Sequence, residues 1–155
     1  MAQSLNIAED HVLQLMTFRL HDETYAINVM QVQEVLKQSE ITMVPGAPDY
    51  VHGIINLRGN IVTVVNTRMR FGLPSTQVKD SSHIIIIESG EHVIGLMVDS
   101  VAEVVYIQSS EIGSAPNIGR EEGAKYIQGV HSRDEGLLIL VDVDRLLMNE
   151  ELQDA

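Results

Sequence analysis

From Leu15 onward the chain sets short aliphatic stretches against clusters of turn-forming residues. LMTFRLHDETYAINV puts apolar strands on either side of HDET, and HIIIIESGEHVIGLMV repeats the arrangement around SGEH, so each predicts a β-hairpin. A second hairpin follows each of these: YVHGIINLRGNIVTVVN turns at LRGN, and YIQGVHSRDEGLLILV turns at RDEG. One more short strand is expected between the hairpins of each pair, ITMVP in the first and VVYIQ in the second. Asn66 before TRMRFG and Asp142 before VDRLLM carry side chains that cap short helices, and Gly72 suits the end of the first.

The pattern is written twice. Laying residues 15–36 over 84–105 needs no gap and brings Val29, Val32, Glu34 and Val35 onto Val98, Val101, Glu103 and Val104. Laying 50–71 over 126–147 matches Tyr50, Gly53 and Val65 to Tyr126, Gly129 and Val141. Five short strands per copy hide their edges best by curling into a small barrel. The expected fold is therefore all-β, a single domain over 1–148 made of two pseudo-symmetric five-stranded barrels. The first is placed at 15–71 and the second at 84–147, with a connection at 72–83 and terminal strands free to exchange between them. Short helical turns, a short C-terminal helix, loose residues at 1–11 and a loose tail at 149–155 complete the expectation.

Composition narrows what such barrels can do. There is no cysteine, which removes disulfides, thiolate nucleophiles and cysteine metal knuckles and fits a reducing cytoplasm. The first residues lack a basic and an apolar segment of the signal-peptide kind, and HIIIIE and GLLILV are too short to span a bilayer. A net charge of −12 repels phosphate backbones and anionic lipid, so proteins are the expected partners, with neither nucleic acid nor direct membrane insertion. The charge is uneven: residues 15–71 carry 5 acids and 5 bases, whereas 84–147 carry 11 acids and 4 bases.

Catalytic machinery is not legible. None of the six histidines forms an HxH or HxxxH pair, and GxSxG, GxGxxG and GxxxxGK[ST] are all absent, so no catalytic, cofactor or metal residues are assigned. Asp99, Glu103, Asp142 and Asp144 could supply the paired carboxylates of a hydrolase and are read instead as solvated acids. Gly53 and Gly129, matched between copies, imply a shared backbone need such as a bulge or a close approach of another segment. Glu34 recurs as Glu103, but Arg58 is replaced by Asp134, so the arginine serves something that the first copy does alone.

VPGAPDYVHGIINLRGNIVTVVN, preceded by FRLHDETYAINVMQVQEVL and followed by VIGLMVDSVAEV and LLILVDVDRLL, resembles the CheW family of bacterial chemotaxis adaptors across residues 15–148. The resemblance implies two SH3-like barrels and a non-catalytic cytoplasmic scaffold, recruited to receptor arrays, that couples chemoreceptors to the regulatory domain of the histidine kinase CheA. It implies that the cytoplasmic tip of the receptor docks helix-in-groove between the barrels. Carried over by position, it assigns Val32, Glu34, Arg58, His83 and Val101 to the receptor-facing region, with Arg58 meeting Glu34, and Gly53 and Gly129 to kinase coupling. His83 stands where relatives commonly carry an aliphatic residue, and Thr63 and Asn66 replace a frequent proline and aspartate. An adaptor of a related pathway, for surface motility or another output, is the alternative, followed by an acidic-barrel hydrolase.

Overall fold

The computed structural model describes residues 10–37, 40–74, 82–114 and 125–147. Ten strands follow in order: β1 (Val12–Leu20), β2 (Glu23–Asn28), β3 (Val32–Lys37), β4 (Val51–Leu57), β5 (Asn60–Asn66), β6 (His83–Ser89), β7 (His92–Val98), β8 (Ser100–Gln108), β9 (Ile127–Arg133) and β10 (Gly136–Val141). One-turn helices α1 (Thr67–Arg70) and α2 (Val143–Leu147) close the two halves. Asn66 accepts a hydrogen bond from the Met69 N–H at 3.2 Å and Asp142 from the Arg145 N–H at 3.1 Å, the expected caps. Gly72, at φ 76, donates to the Met69 carbonyl at the end of α1.

The strands form two five-stranded sheets, ordered β8-β1-β2-β10-β9 and β3-β6-β7-β5-β4. In repeat terms the two orders are the same, but the first hairpin of each half sits in the other half's sheet. The sheets are therefore not built from the contiguous stretches 15–71 and 84–147. β1–β2 pairs with β8 and, in parallel, with β10, while β6–β7 pairs with β3 and, in parallel, with β5. Two short crossovers carry the chain between sheets: the 3-10 turn Val29–Gln31 between β2 and β3, and Asp99 between β7 and β8.

Two-sided burial explains the aliphatic runs. Along HIIIIE, Ile84 and Ile86 pack with Ile55, Val62, Val64 and Met97 inside their own sheet. Ile85 and Ile87 face the opposite way, into a core shared by both sheets with Phe18, Leu20, Tyr25, Ile27 and Leu96. A strand covered on both faces has no reason to alternate. Leu15, Ala26, Ile107, Leu138 and Leu140 fill the interior of the other sheet. In the shared core Phe18, Tyr25, Phe71 and Tyr126 touch in series at centroid distances of 5.9, 5.7 and 5.9 Å. The buried Arg70 guanidinium lies 4.3 Å from the Tyr50 ring and 5.3 Å from Tyr126, whose hydroxyl it also meets, so a cation bridges two repeat-equivalent tyrosines.

Each sheet is drawn edge to edge by one two-bond bridge. The chain leaving β3 returns at Thr42 to pair with Ile54 of β4, at 2.9 and 2.8 Å, and the chain leaving β8 returns at Gly113 to pair with Val130 of β9, at 2.8 and 3.0 Å. ITMVP thus supplies a single bridge rather than a strand. The third strand of the first half is Val32–Lys37, because Val32 and Val35 are the residues that reach the shared core. Of the start expected to be loose, Asp10 and His11 are tied down, with Asp10 accepting from Ser109 and Ser110 and Ser109 N–H donating to the His11 carbonyl at 2.7 Å, while residues 1–9 lie outside the described residues. Residues 75–81 of the connection and the 149–155 tail lie outside the described residues.

Each of the four isoleucines of β6 is fully buried, and burying such a side chain contributes about 1.5–3 kcal/mol. Together they match the roughly 5–15 kcal/mol net stability of a whole domain, so neither sheet can survive loss of the hairpin it borrows. Accordingly, isolated fragments 15–71 and 84–147 are expected to lack cooperative thermal transitions and dispersed amide spectra, while the whole chain unfolds in one urea step seen alike by probes in both sheets. Two separated transitions would overturn this coupling.

Candidate functional site

Val32 and Val101, equivalent in the repeat, are the first residue of β3 and the second of β8, the strands that follow the two crossovers, and both lie half-buried against the shared core. Val32 pairs with Ile87 and Val101 with Phe18. Glu34 follows on β3, an edge strand, and Arg58 sits at the tip of the β4–β5 hairpin on the opposite edge. Arg58 forks onto Glu34, with Nη2 meeting Oε2 and Nη1 lying 3.4 Å from Oε1. The expected pair is therefore formed, and it straps one edge of the sheet to the other.

Arg58 occupies a left-handed conformation, φ 51, followed by Gly59 at φ 90 in a two-residue turn. An L side chain is disfavoured there, and glycine or asparagine is the ordinary choice. The ion pair cannot explain the choice through stability, because the arginine is 69% exposed and water screens the attraction. What the turn does supply is direction: the guanidinium reaches back over the seam. Its hydrogen bond and charge hold the Glu34 carboxyl below the usual carboxylate range. In the second half the equivalents Glu103 and Asp134 are both acids and exposed, so no such strap exists there.

His83 is not brought beside Val32. It pairs with Lys37 at the far end of β3, five residues from Val32, or about 17 Å along a strand. Gly53 and Gly129 instead sit at the two closing bridges. A Cβ on Gly53 would lie 2.5 Å from the Thr42 carbonyl oxygen and from Ile41 Cγ2, and one on Gly129 would lie 2.8 Å from the Gly113 oxygen and 2.6 Å from Ile112 Cγ2. Both also follow a register shift in their strand pair or lie within one, so bulge and close approach occur together in each half.

Of the four second-half carboxylates considered for a hydrolase, Glu103 is exposed and the other three are engaged. Asp99 is gripped by Arg68, Asp142 caps α2, and Asp144 accepts from Gln31 and Ser89. Ser109, His11 and Asp10 also come together, with Ser109 Oγ 3.3 Å from His11 Nδ1. Asp10 nevertheless bonds the serines rather than the imidazole, so it does not orient a base as a hydrolytic triad requires. Among the described residues no group of three or more His, Asp or Glu could hold a metal ion, and no helix is long and apolar enough to cross a membrane.

Sequence reasoning missed the exposed apolar residues. Met43, Val44 and Ile61 stand out from the β6 sheet, near a depression of about 280 Å³ lined by Val44, Pro45, Pro48, Val51, Ile54 and Thr63. Val104, Tyr106 and Leu137 stand out from the other sheet. The repeat alignment contained part of the signal, since Ile61 and Leu137 are equivalent positions, each following a hairpin turn.

Gly53→Ala and Gly129→Ala should each lower unfolding free energy by about 1–3 kcal/mol in urea titrations, because backbone must shift to admit the methyl. Gly113→Ala, whose Cβ would meet only an oxygen at 3.8 Å, should change it little. For Glu34 the sign follows from its lowered folded-state value: the strap is complete at neutral pH and is lost only as acid titrates the carboxylate through that value. Replacing Arg58 by Met should move the Glu34 carboxyl titration, read by NMR, upward to the ordinary glutamate range. An unmoved midpoint would show that the pair does not hold in solution.

The CheW-like domain family matches residues 14–151. A chemotaxis protein CheW of Bacillus subtilis is 33% identical over 141 residues, covering 91% of this chain and 90% of the relative. One from Treponema pallidum is 32% identical over 148 residues, covering 93% and 87%. The crystal structure of the scaffolding protein TtCheW from Thermoanaerobacter tengcongensis superimposes with a TM-score of 0.78 at 32% identity, over 84% of this chain and 89% of that one. With the doubled strand order, the closing glycines and the NLRG hairpin all in place, this chain belongs to the CheW family.

Proposed function

We propose that this protein is a non-catalytic cytoplasmic scaffold that couples chemoreceptors to the regulatory domain of the histidine kinase CheA, within arrays at the membrane. The observation that carries this reading is the Glu34–Arg58 fork, a contact that stability does not require, placed beside Val32 on an exposed sheet edge. Val32 and Val101 offer half-buried aliphatic surface on the shared core, suited to the apolar face of a receptor helical hairpin. Glu34 and Arg58 then orient that hairpin from the rim, and His83 at the far end of β3 extends the contact.

Gly53 and Gly129 serve kinase coupling through the bridges that they permit. Gly53 lets Thr42 close on Ile54, and the next residues, Met43 and Val44, are 81% and 39% exposed. A side chain at Gly53 displaces the segment that presents those two apolar residues to a partner. The coupling defect and the stability loss thus share one cause.

Charge reversal tests the rim. Arg58→Glu sets two like charges together and should weaken assembly with receptor cytoplasmic fragments and CheA about tenfold, near 1.4 kcal/mol, with the melting temperature unchanged. Glu34→Arg combined with Arg58→Glu restores the pair in reverse and should recover assembly and kinase stimulation. Wild-type assembly with Arg58→Glu alone would sink the proposed role of the pair.

A further inference from the structure

The two crossovers are the only described places where the chain passes directly between sheets, and each is clamped by a side chain of a one-turn helix. At Asp99, Arg68 of α1 donates from Nε at 2.9 Å to Oδ1 and from Nη2 to Oδ2. The His21 N–H, at the β1–β2 turn, adds a 2.9 Å bond to Oδ2. At the other crossover, Asp144 of α2 accepts from Gln31 Nε2 at 2.8 Å and from Ser89 Oγ, the last residue of β6 before the β6–β7 turn. Arg68 and Asp144 are repeat equivalents, 76 residues apart. Each clamp, Arg68–Asp99 with the His21 N–H or Asp144 with Gln31 and Ser89, therefore ties the same three things: a crossover, a helix and the tip of an exchanged hairpin.

The chemistry is inverted between them. The first helix brings a cation to an anionic crossover, and the second brings an anion to a neutral amide. Arg68 and Asp99 are 13% and 26% exposed, so their fork is charge-assisted and largely sheltered from water, and the contact raises the Arg68 pKa further. Asp144 is exposed, and its bonds compete with solvent. One crossover is held by a sheltered ion pair and the other by solvent-exposed hydrogen bonds. Gln31 immediately precedes Val32, and Asp99 stands two residues before Val101.

We propose that Arg68 and Asp99, and more weakly Asp144 and Gln31, are positioning residues that set the angle between the two barrels and with it the spacing of Val32 and Val101. The consequence for receptor docking rests on the function proposed above, whereas the angle itself does not. Because the chain has no cysteine, spin labels at Ile61→Cys and Leu137→Cys, exposed equivalents on the two sheets, report the inter-barrel distance with no partner present.

In the labelled full-length chain, Arg68→Met should broaden the electron-electron distance distribution about twofold, and Asp144→Ala should broaden it less. Arg68→Asp with Asp99→Arg should restore the narrow distribution. Arg68→Lys, which keeps the charge and loses the fork, gives an intermediate width and serves if Arg68→Met does not fold. An unchanged distribution in the folded Arg68 variants, or a reversed pair that stays broad, overturns the proposal. Capture of a receptor hairpin fragment should fall with the same ranking. If the wild-type chain captures none while the widths shift as stated, the receptor reading fails and the clamp stands.

Discussion

Each sheet is completed by a hairpin that the other half of the chain supplies, through the parallel pairs of β2 with β10 and β7 with β5. That exchange forces β1, β2, β6 and β7 to present apolar side chains on both faces, one toward their own sheet's interior and one toward the shared core. Sliding contacts between two separate barrels would be small and polar, as interfaces between domains usually are. Here the interface is the largest core of the molecule. The two sheets cannot separate without exposing that core, and the proposed clamps act at the two crossovers that join them.

This constraint also decides where variation is tolerated. Strand order, closing bridge, closing glycine and helix cap are the same in both halves, since each is required to complete a sheet. The hairpin tips and crossovers lie outside that requirement, and there the halves differ. LRGN faces RDEG, Arg58 faces Asp134, and Arg68 faces Asp144. The first half stays near neutral and carries the strap, while the second gathers acids, several of which are consumed as hydrogen-bond acceptors for residues of the first half. Net charge alone therefore misjudges how much free carboxylate the second half offers to solvent or ligand.

Much of the fold was legible because strands announce themselves by composition and turns by residue type. The hairpin tips at His21, Arg58, Gly90 and Asp134 fall where the polar clusters place them. Assigning the hairpins to sheets was not legible, because an aliphatic strand buried on both faces fits either partner equally well, and only the short crossovers decide. VQEVLK is hard to read as a strand from sequence, because its two apolar anchors, Val32 and Val35, do not alternate with period two. The Glu34–Arg58 pair could be inferred from its asymmetry in the repeat. The Arg68–Asp99 fork could not, since it joins residues 31 apart across a crossover that the contiguous reading lacked, and Asp99 accordingly passed for a solvated acid.

An internal duplication that exchanges hairpins gives a scaffold something that two tandem barrels lack. Tandem barrels joined by a linker must lose orientational freedom on binding a partner that touches both, and that loss weakens the complex. In this chain the freedom is already lost on folding, through a core that also supplies the stability. Binding energy from a partner laid across both halves is then not consumed in ordering them. The remaining adjustable quantities are few and local: the rim charge at Arg58, the bridges beside Gly53 and Gly129, and the two unequal crossover clamps. Under the proposed coupling role, each is a place where a substitution changes partner geometry without first disturbing the shared core, except at the glycines, where geometry and stability depend on the same close contact.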